Sequence, residues 1–70
     1  MMTTKVKEQI LAVRETGLTN MFDINGVLAL AYRHDWYDLV NYLGGRENRK
    51  EYVRFIITGE AETQEEESHG

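Results

Sequence analysis

The first stretch of regularly spaced apolar residues lies near the N-terminus of the chain. Val6, Ile10 and Val13 recur at intervals of three and four residues, with charged residues between them. This spacing is typical of one buried face of an α-helix. Thr3 or Thr4 can cap the first turn, and a glycine at position 17 can end the helix. The pattern predicts a helix over residues 4–16.

A second stretch is apolar over most of its circumference. The residues from Val27 to Tyr32 form the longest unbroken apolar run of the chain. Asp23 can cap the helix that contains them, which we predict over residues 24–34. A helix that is apolar on nearly all sides is usually buried, so we expect this one to be the central helix. The connector before it carries Met21 and Phe22, which we expect to plug the core.

Two shorter helices are predicted in the second half of the chain. Asp35 can cap a third helix over residues 36–43, which Gly44-Gly45 would end. Asn48 followed three residues later by Glu51 resembles a capping box that opens a fourth helix. We predict this helix over residues 49–58. The segment YVRFIIT also has a strand-like composition, but the capping signals favour a helix.

The charge is distributed unevenly between the body and the C-terminal end. The chain carries a net charge of -4 with 12 acidic and 8 basic residues. Five of the glutamates lie in the last eleven residues, so residues 1–59 contain seven acidic and eight basic residues. The end itself contains too little apolar surface to offset the entropy of ordering. We therefore predict a single all-α domain over residues 1–59, a small bundle of four short helices, and a disordered acidic tail over residues 60–70.

Composition excludes several classes of site and location. The chain has no cysteine, so a disulfide and a thiolate zinc site are excluded, and we expect neither metal nor cofactor. No apolar run approaches the roughly 20 residues of a membrane helix, and the N-terminus lacks the apolar segment of a signal peptide. We therefore expect a cytoplasmic protein.

One cluster of residues could in principle support acid–base chemistry. His34 lies beside Asp35, Trp36, Tyr37 and Asp38, and a histidine near carboxylates can act as a general base or as half of a metal site. A simpler interpretation is that His34 ends one helix while the aspartates begin the next, where the helix dipoles favour these charges. Since no nucleophile motif or phosphate loop accompanies the cluster, we expect no enzymatic activity.

A second cluster is basic and lies in the predicted fourth helix. It consists of Arg46, Arg49, Lys50 and Arg54, which could hold the phosphates of a nucleotide or nucleic acid. Glu47 and Glu51 are interleaved with these bases and could pair with them locally, which is the simpler interpretation. The predicted second and third helices could form a helix-turn-helix. Sequence-specific DNA binding is nevertheless disfavoured, because the third helix, which would enter the DNA groove, carries an aspartate and no base.

Aromatic residues are numerous for so short a chain. There are one tryptophan, four tyrosines and two phenylalanines, more than four short helices can readily bury. Tyrosine, tryptophan and arginine are also the residues that dominate the binding energy of protein interfaces. We therefore predict a ligand-binding or partner-binding surface formed by Trp36, Tyr37, Arg46, Arg49, Lys50 and Arg54.

Two stretches resemble a known family. GLTNMFD (Gly17 to Asp23) and EYVRFIITGE (Glu51 to Glu60), joined by AYRHDWYDLVNYL, are similar to small uncharacterised proteins of bacteriophages and prophages. That family is catalogued only as a domain of unknown function. The resemblance implies an accessory protein that binds a host or phage macromolecule, with an anti-defence or regulatory role, in the host cell cytoplasm if a phage encodes it. We expect a homo-oligomer. The alternative is a binder that sequesters a phosphate-bearing ligand such as a signalling nucleotide.

Overall fold

Four α-helices make up most of the protein, as the hydrophobic pattern predicted. The computed structural model describes residues 1–60 and 63–64. The elements are β1 (Met2–Thr3), α1 (Thr4–Thr16), α2 (Ile24–Arg33), α3 (Tyr37–Leu43), α4 (Arg46–Thr58) and β2 (Thr63–Gln64). No helix in this described part is both long enough and apolar enough to cross a bilayer.

The two short strands were not predicted. β1 and β2 pair in parallel, with Met2 opposite Thr63 and Thr3 opposite Gln64. Met2 is completely buried and packs in the helical core, so β1 is fixed to the bundle by this side chain. The predicted disorder of the tail concerns mainly residues 61–62 and 65–70, which lie outside the described residues.

The starts of α1 and α2 confirm the predicted caps. The Thr3 hydroxyl accepts a hydrogen bond from the Val6 amide at 3.1 Å. The Asp23 carboxylate accepts one from the Gly26 amide at 3.2 Å. Gly17 ends α1 in the left-handed conformation, with φ of 65°. Each of these caps is local in sequence, so the residues nearby were sufficient to predict it.

The predicted cap of α3 is wrong. Asp35 does not cap the helix; its φ of 61° places it in the left-handed region, and its carboxylate accepts from the Tyr37 hydroxyl at 2.8 Å. The first turn of α3 is instead capped from α1. The Leu39 amide donates to the Gln9 side-chain oxygen at 2.9 Å, across 30 residues of sequence.

The predicted start of α4 is also wrong. The helix begins at Arg46, three residues before the predicted position, and its N-cap Gly45 provides no side chain. Asn48 therefore forms no capping box; its side-chain amide donates to the Tyr42 carbonyl at 2.9 Å. Arg49 Nε likewise donates to the Leu43 carbonyl at 2.9 Å. The first turn of α4 thus caps the last turn of α3.

α3, rather than α2, is the central helix of the bundle. It packs against α1, α2 and α4, whereas α2 packs mainly against α1 and α3. The expectation that α2 is central is wrong because its apolar excess includes Tyr32, which is exposed. The core lies around α3 and consists of Met2, Val6, Ile10, Val13, Val27, Leu30, Ala31, Leu39, Tyr42, Leu43, Tyr52 and Phe55.

Candidate functional site

A groove of about 290 Å³ lies between α1, α4 and the loop that joins α1 to α2. We call it the α1–α4 groove. α1 contributes three residues, the loop three, and the C-terminal part of α4 together with its C-cap Gly59 the remainder. Its lining consists of Ile10, Leu11, Arg14, Asn20, Met21, Phe22, Phe55, Ile56 and Gly59. Apolar side chains dominate this set, so the groove is chemically suited to an apolar group.

Hydrogen bonds hold the loop in place as one wall of the groove. The Asn20 side chain accepts from the Phe22 amide at 2.8 Å, and the Asn20 carbonyl accepts from the Asp23 amide at 2.9 Å. The Tyr52 hydroxyl of α4 donates to the Met21 carbonyl. Because Tyr52 is completely buried, this bond fixes the loop to the core.

A glycine allows the loop to lie close to α2. A side chain at Gly26 would collide with the Thr19 hydroxyl and touch the Asp23 carboxylate. Gly26 lies in the first turn of α2, where glycine normally costs helix stability. The close approach of the loop explains its presence there.

The floor of the groove is buried but its walls are exposed. Ile10 and Phe55 belong to the core, whereas Leu11 is 45% and Phe22 is 54% exposed. We expected Met21 and Phe22 to plug the core; Met21 does pack against it, but Phe22 does not. Large apolar side chains exposed around a concavity are typical of binding surfaces.

The charge at the groove is positive. Arg14 lines it, and the Lys7 amine lies 5.9 Å from the centre of the Phe55 ring. Lys7 and Arg14 are seven residues apart on α1, which is two turns or about 10.5 Å. Within residues 1–60 neither base forms an ion pair. No carboxylate lines the groove; Arg14 is the charged residue of its lining, and Lys7 lies beside it over Phe55.

Three tyrosines have a perturbed pKa. Burial raises the pKa of Tyr52 to about 12. Burial, followed by the hydrogen bond to Glu51, raises the pKa of Tyr42 further still. The hydrogen bond to Asp35 raises the pKa of Tyr37. All three therefore remain neutral hydrogen-bond donors near neutral pH, and none of them supplies a general base.

The predicted aromatic residues lie at the turn between α2 and α3, which we call the aromatic turn (residues 32–37). Tyr37 is 48% exposed and meets Tyr32 edge-on, with the ring centres 5.9 Å apart. Trp36 is partly buried and stacks on His34 at 4.4 Å. No group of three or more potential metal ligands occurs in the part of the chain that the structure describes.

The predicted basic residues lie on α4 and have different environments. Arg46 and Arg54 are exposed, and Lys50 lies 3.9 Å from Glu47, as expected for local pairing. The same expectation is wrong for Glu51, whose carboxylate accepts from the Tyr42 hydroxyl and lies 3.4 Å from the Met1 amine. Arg49 is exposed, but its Nε holds the C-terminus of α3. Neither these four bases nor Trp36 and Tyr37 line the α1–α4 groove. Among the described residues, no hydrogen bond, ion pair or ring contact joins the basic set to the aromatic pair.

Sequence reasoning missed the groove residues Leu11 and Arg14. Leu11 lies off the heptad-like face that predicted α1, and Arg14 resembles any solvated base at the end of a helix. The one signal was the pair Met21-Phe22 within a polar connector. It correctly marked the loop as important but did not indicate that Phe22 faces solvent.

The fold and the groove define a small all-α protein with an exposed apolar groove edged by bases. Residues 2–60 match the model of DUF5049, a domain of unknown function. The chain therefore belongs to that family. Neither the curated proteins nor the solved structures compared with it contain a match.

Proposed function

We propose that this protein acts by binding another protein through the α1–α4 groove, without catalysis. The observation that carries the proposal is the exposure of Leu11 and Phe22 in the lining of a groove that also includes the buried apolar residues Ile10 and Phe55. Amphipathic segments bind by laying an apolar face into grooves of this kind. The two bases at the edge would orient the bound segment.

The position of the groove in the sequence supports the proposal. The two stretches on which the family resemblance is based, Gly17 to Asp23 and Glu51 to Glu60, are separated by 27 residues. They supply six of the nine lining residues, and the hydrogen bond from Tyr52 to Met21 joins them. The most recognisable parts of the sequence thus build one surface.

The size of the groove favours side chains of a partner over a whole small ligand. Pockets that hold ligands usually measure about 300–1,000 Å³ and enclose most of the ligand. The groove is at the lower end, at about 290 Å³. The alternative, a binder of phosphate-bearing ligands, relies on Arg46, Lys50 and Arg54, which lie on the exposed side of α4 and outside the concavity.

Self-association and a phage or prophage context form part of the proposal. Tyr32, Tyr37 and Ile57 are exposed and lie outside the groove, so apolar surface remains for a second copy. The resemblance to phage and prophage proteins supports action on a host or phage macromolecule in the host cytoplasm, in an anti-defence or regulatory role. Trp36, Arg46, Arg49, Lys50 and Arg54 stay predicted contacts for a partner that extends beyond the groove.

Site-specific photo-crosslinking tests the proposal. A photoreactive phenylalanine replaces Leu11 in the groove or, as a matched control, Ala29 on the exposed side of α2. We expect a discrete adduct from position 11 alone, and loss of this adduct when Phe22→Ser is added. The partner is then identified by mass spectrometry and its affinity measured with purified proteins. Equal adducts from both positions, or an affinity unaffected by Phe22→Ser in a folded variant, would contradict the proposal.

A further inference from the structure

We infer that the segment received by the α1–α4 groove is an amphipathic helix with carboxylates along one edge. This inference rests on the proposed function and specifies the chemistry of the partner. The walls on both sides of the groove include helices, α1 and α4, whose apolar residues Leu11 and Ile56 line it. A third helix can lie along such walls with its apolar side chains on the floor.

The distribution of charge on α1 determines the sign of the partner's charge. Successive residues of a helix are about 100° apart, so Lys7 and Arg14 share one side. Leu11 lies next to them, and Glu8 and Glu15 lie beyond Leu11. The bases are therefore on the groove side of α1, as Arg14 in the lining and Lys7 above Phe55 show. The acids are exposed and outside the lining.

The spacing of the bases specifies the spacing of the carboxylates. Lys7 and Arg14 are two helical turns apart, about 10.5 Å along α1. A partner helix lying beside α1 would meet both with two acidic residues that are also seven positions apart. The chain's own end is acidic, but residues 60–70 contain alanine as their only apolar residue. It could match the bases but has nothing to fill the groove, so we assign the occupant to a separate protein.

Binding of synthetic helices to the full-length chain tests the inference. The probe is a stapled helical peptide with three leucines on one face and two glutamates seven residues apart on its edge. A matched peptide carries lysines in place of the glutamates. Affinities are measured by fluorescence polarisation against the wild type, against the double variant Lys7→Glu/Arg14→Glu, and against the control Lys5→Glu/Arg33→Glu. The control changes net charge equally at two exposed bases outside the groove lining.

We expect the acidic peptide to bind the wild type, and to bind the double variant roughly tenfold more weakly, since the charge pairs at half-buried Lys7 and exposed Arg14 become repulsive. The control should change its affinity by less than about twofold. The lysine peptide should show the opposite preference and bind the double variant better than the wild type. Circular dichroism and the Tm of each variant establish that it is folded.

Other results would overturn the inference in distinguishable ways. If Phe22→Ser abolishes peptide binding but the charge reversals have no effect, the groove binds helices and only the acidic edge is wrong. If Phe22→Ser leaves peptide binding unchanged, the proposed function fails as well. A long-chain carboxylate that binds tightly where neither peptide does would assign the groove to an anionic amphiphile. A dimer that Phe22→Ser converts to a monomer would assign it to a second copy.

Discussion

Helix α3 and the α1–α4 groove differ in whether other parts of the protein bind or cover their groups. α3 has only seven residues, yet its ends are capped from other helices, by Gln9 at the start and by Asn48 and Arg49 at the finish. The groove leaves Leu11 and Phe22 half exposed. Stability and binding are thus assigned to different residues, and substitutions should separate them.

The largest effect is expected at the centre of the bundle. Leu39 is completely buried on α3, so Leu39→Ala should reduce the free energy of unfolding by about 2–5 kcal/mol, because it removes packed atoms and leaves a cavity. Urea denaturation measures the change. Marginal domains of this size can lose most of their stability to such a change. A loss below about 1 kcal/mol would contradict the central position of α3.

A smaller loss is expected when the cap from α1 is removed. Gln9→Ala leaves the Leu39 amide without its acceptor and should cost about 1–3 kcal/mol. The neighbouring exposed Glu8 forms no such bond, so Glu8→Ala provides the matched control. If the two variants unfold at the same urea concentration, Gln9 does not hold α3, and the helix start is determined by other contacts.

How much of the fold the sequence could predict depends on how many residues separate each capping side chain from the amide that it binds. α1 and the start of α2 were predictable because Thr3 and Asp23 bind amides three residues away. The start of α3 was not, since its cap is Gln9, thirty residues earlier in the chain. Asn48 is a residue type that often caps the start of a helix, but its side chain binds a carbonyl at the end of the preceding helix, α3.

The groove was harder to predict for a related reason. The groove forms where the loop carrying Phe22 lies next to α1 and α4. No pattern within a short stretch of the sequence predicts that these three segments come together. Leu11 and Arg14 are three positions apart and look like an exposed leucine and a solvated base. Only the folded chain shows that they face Phe55 and Ile56 across a concavity.

Tyr52 connects the two regions and should affect both. Tyr52→Phe removes the hydrogen bond to the Met21 carbonyl and should cost about 0.5–1.5 kcal/mol. Because the loop is then held less firmly, binding at the groove should also weaken. Tyr42→Phe removes a hydroxyl that bonds to Glu51, away from the groove lining, and serves as the control. Equal binding by the two variants would show that the loop does not depend on Tyr52.

Tyr52 should also make the free energy of unfolding depend on pH in the alkaline range. The pKa of Tyr52 is about 12 in the fold, above its ordinary value of 10. A tyrosine whose pKa is raised by folding contributes its full stabilisation below pH 10. This contribution is lost as the pH rises towards 12. The free energy of unfolding should therefore fall across this range, and fall less steeply in Tyr52→Phe. The slope that remains would come from Tyr42, whose pKa is raised mainly by burial, and from Tyr37, whose pKa is raised mainly by its hydrogen bond to Asp35. Identical slopes in the wild type and Tyr52→Phe would contradict the assignment.

The smallest effect on stability is expected in the groove. Leu11→Gln exchanges one good helix former for another at a half-exposed position, so the free energy of unfolding should change by about 0.5 kcal/mol or less. Binding of the acidic peptide should nevertheless weaken about fivefold, the equivalent of about 1 kcal/mol of lost apolar contact. Ile57→Gln makes the same kind of change at a more exposed residue outside the groove and should leave binding unaltered. If Leu11→Gln destabilises the fold as much as Gln9→Ala does, Leu11 belongs to the core and the division between the two regions fails.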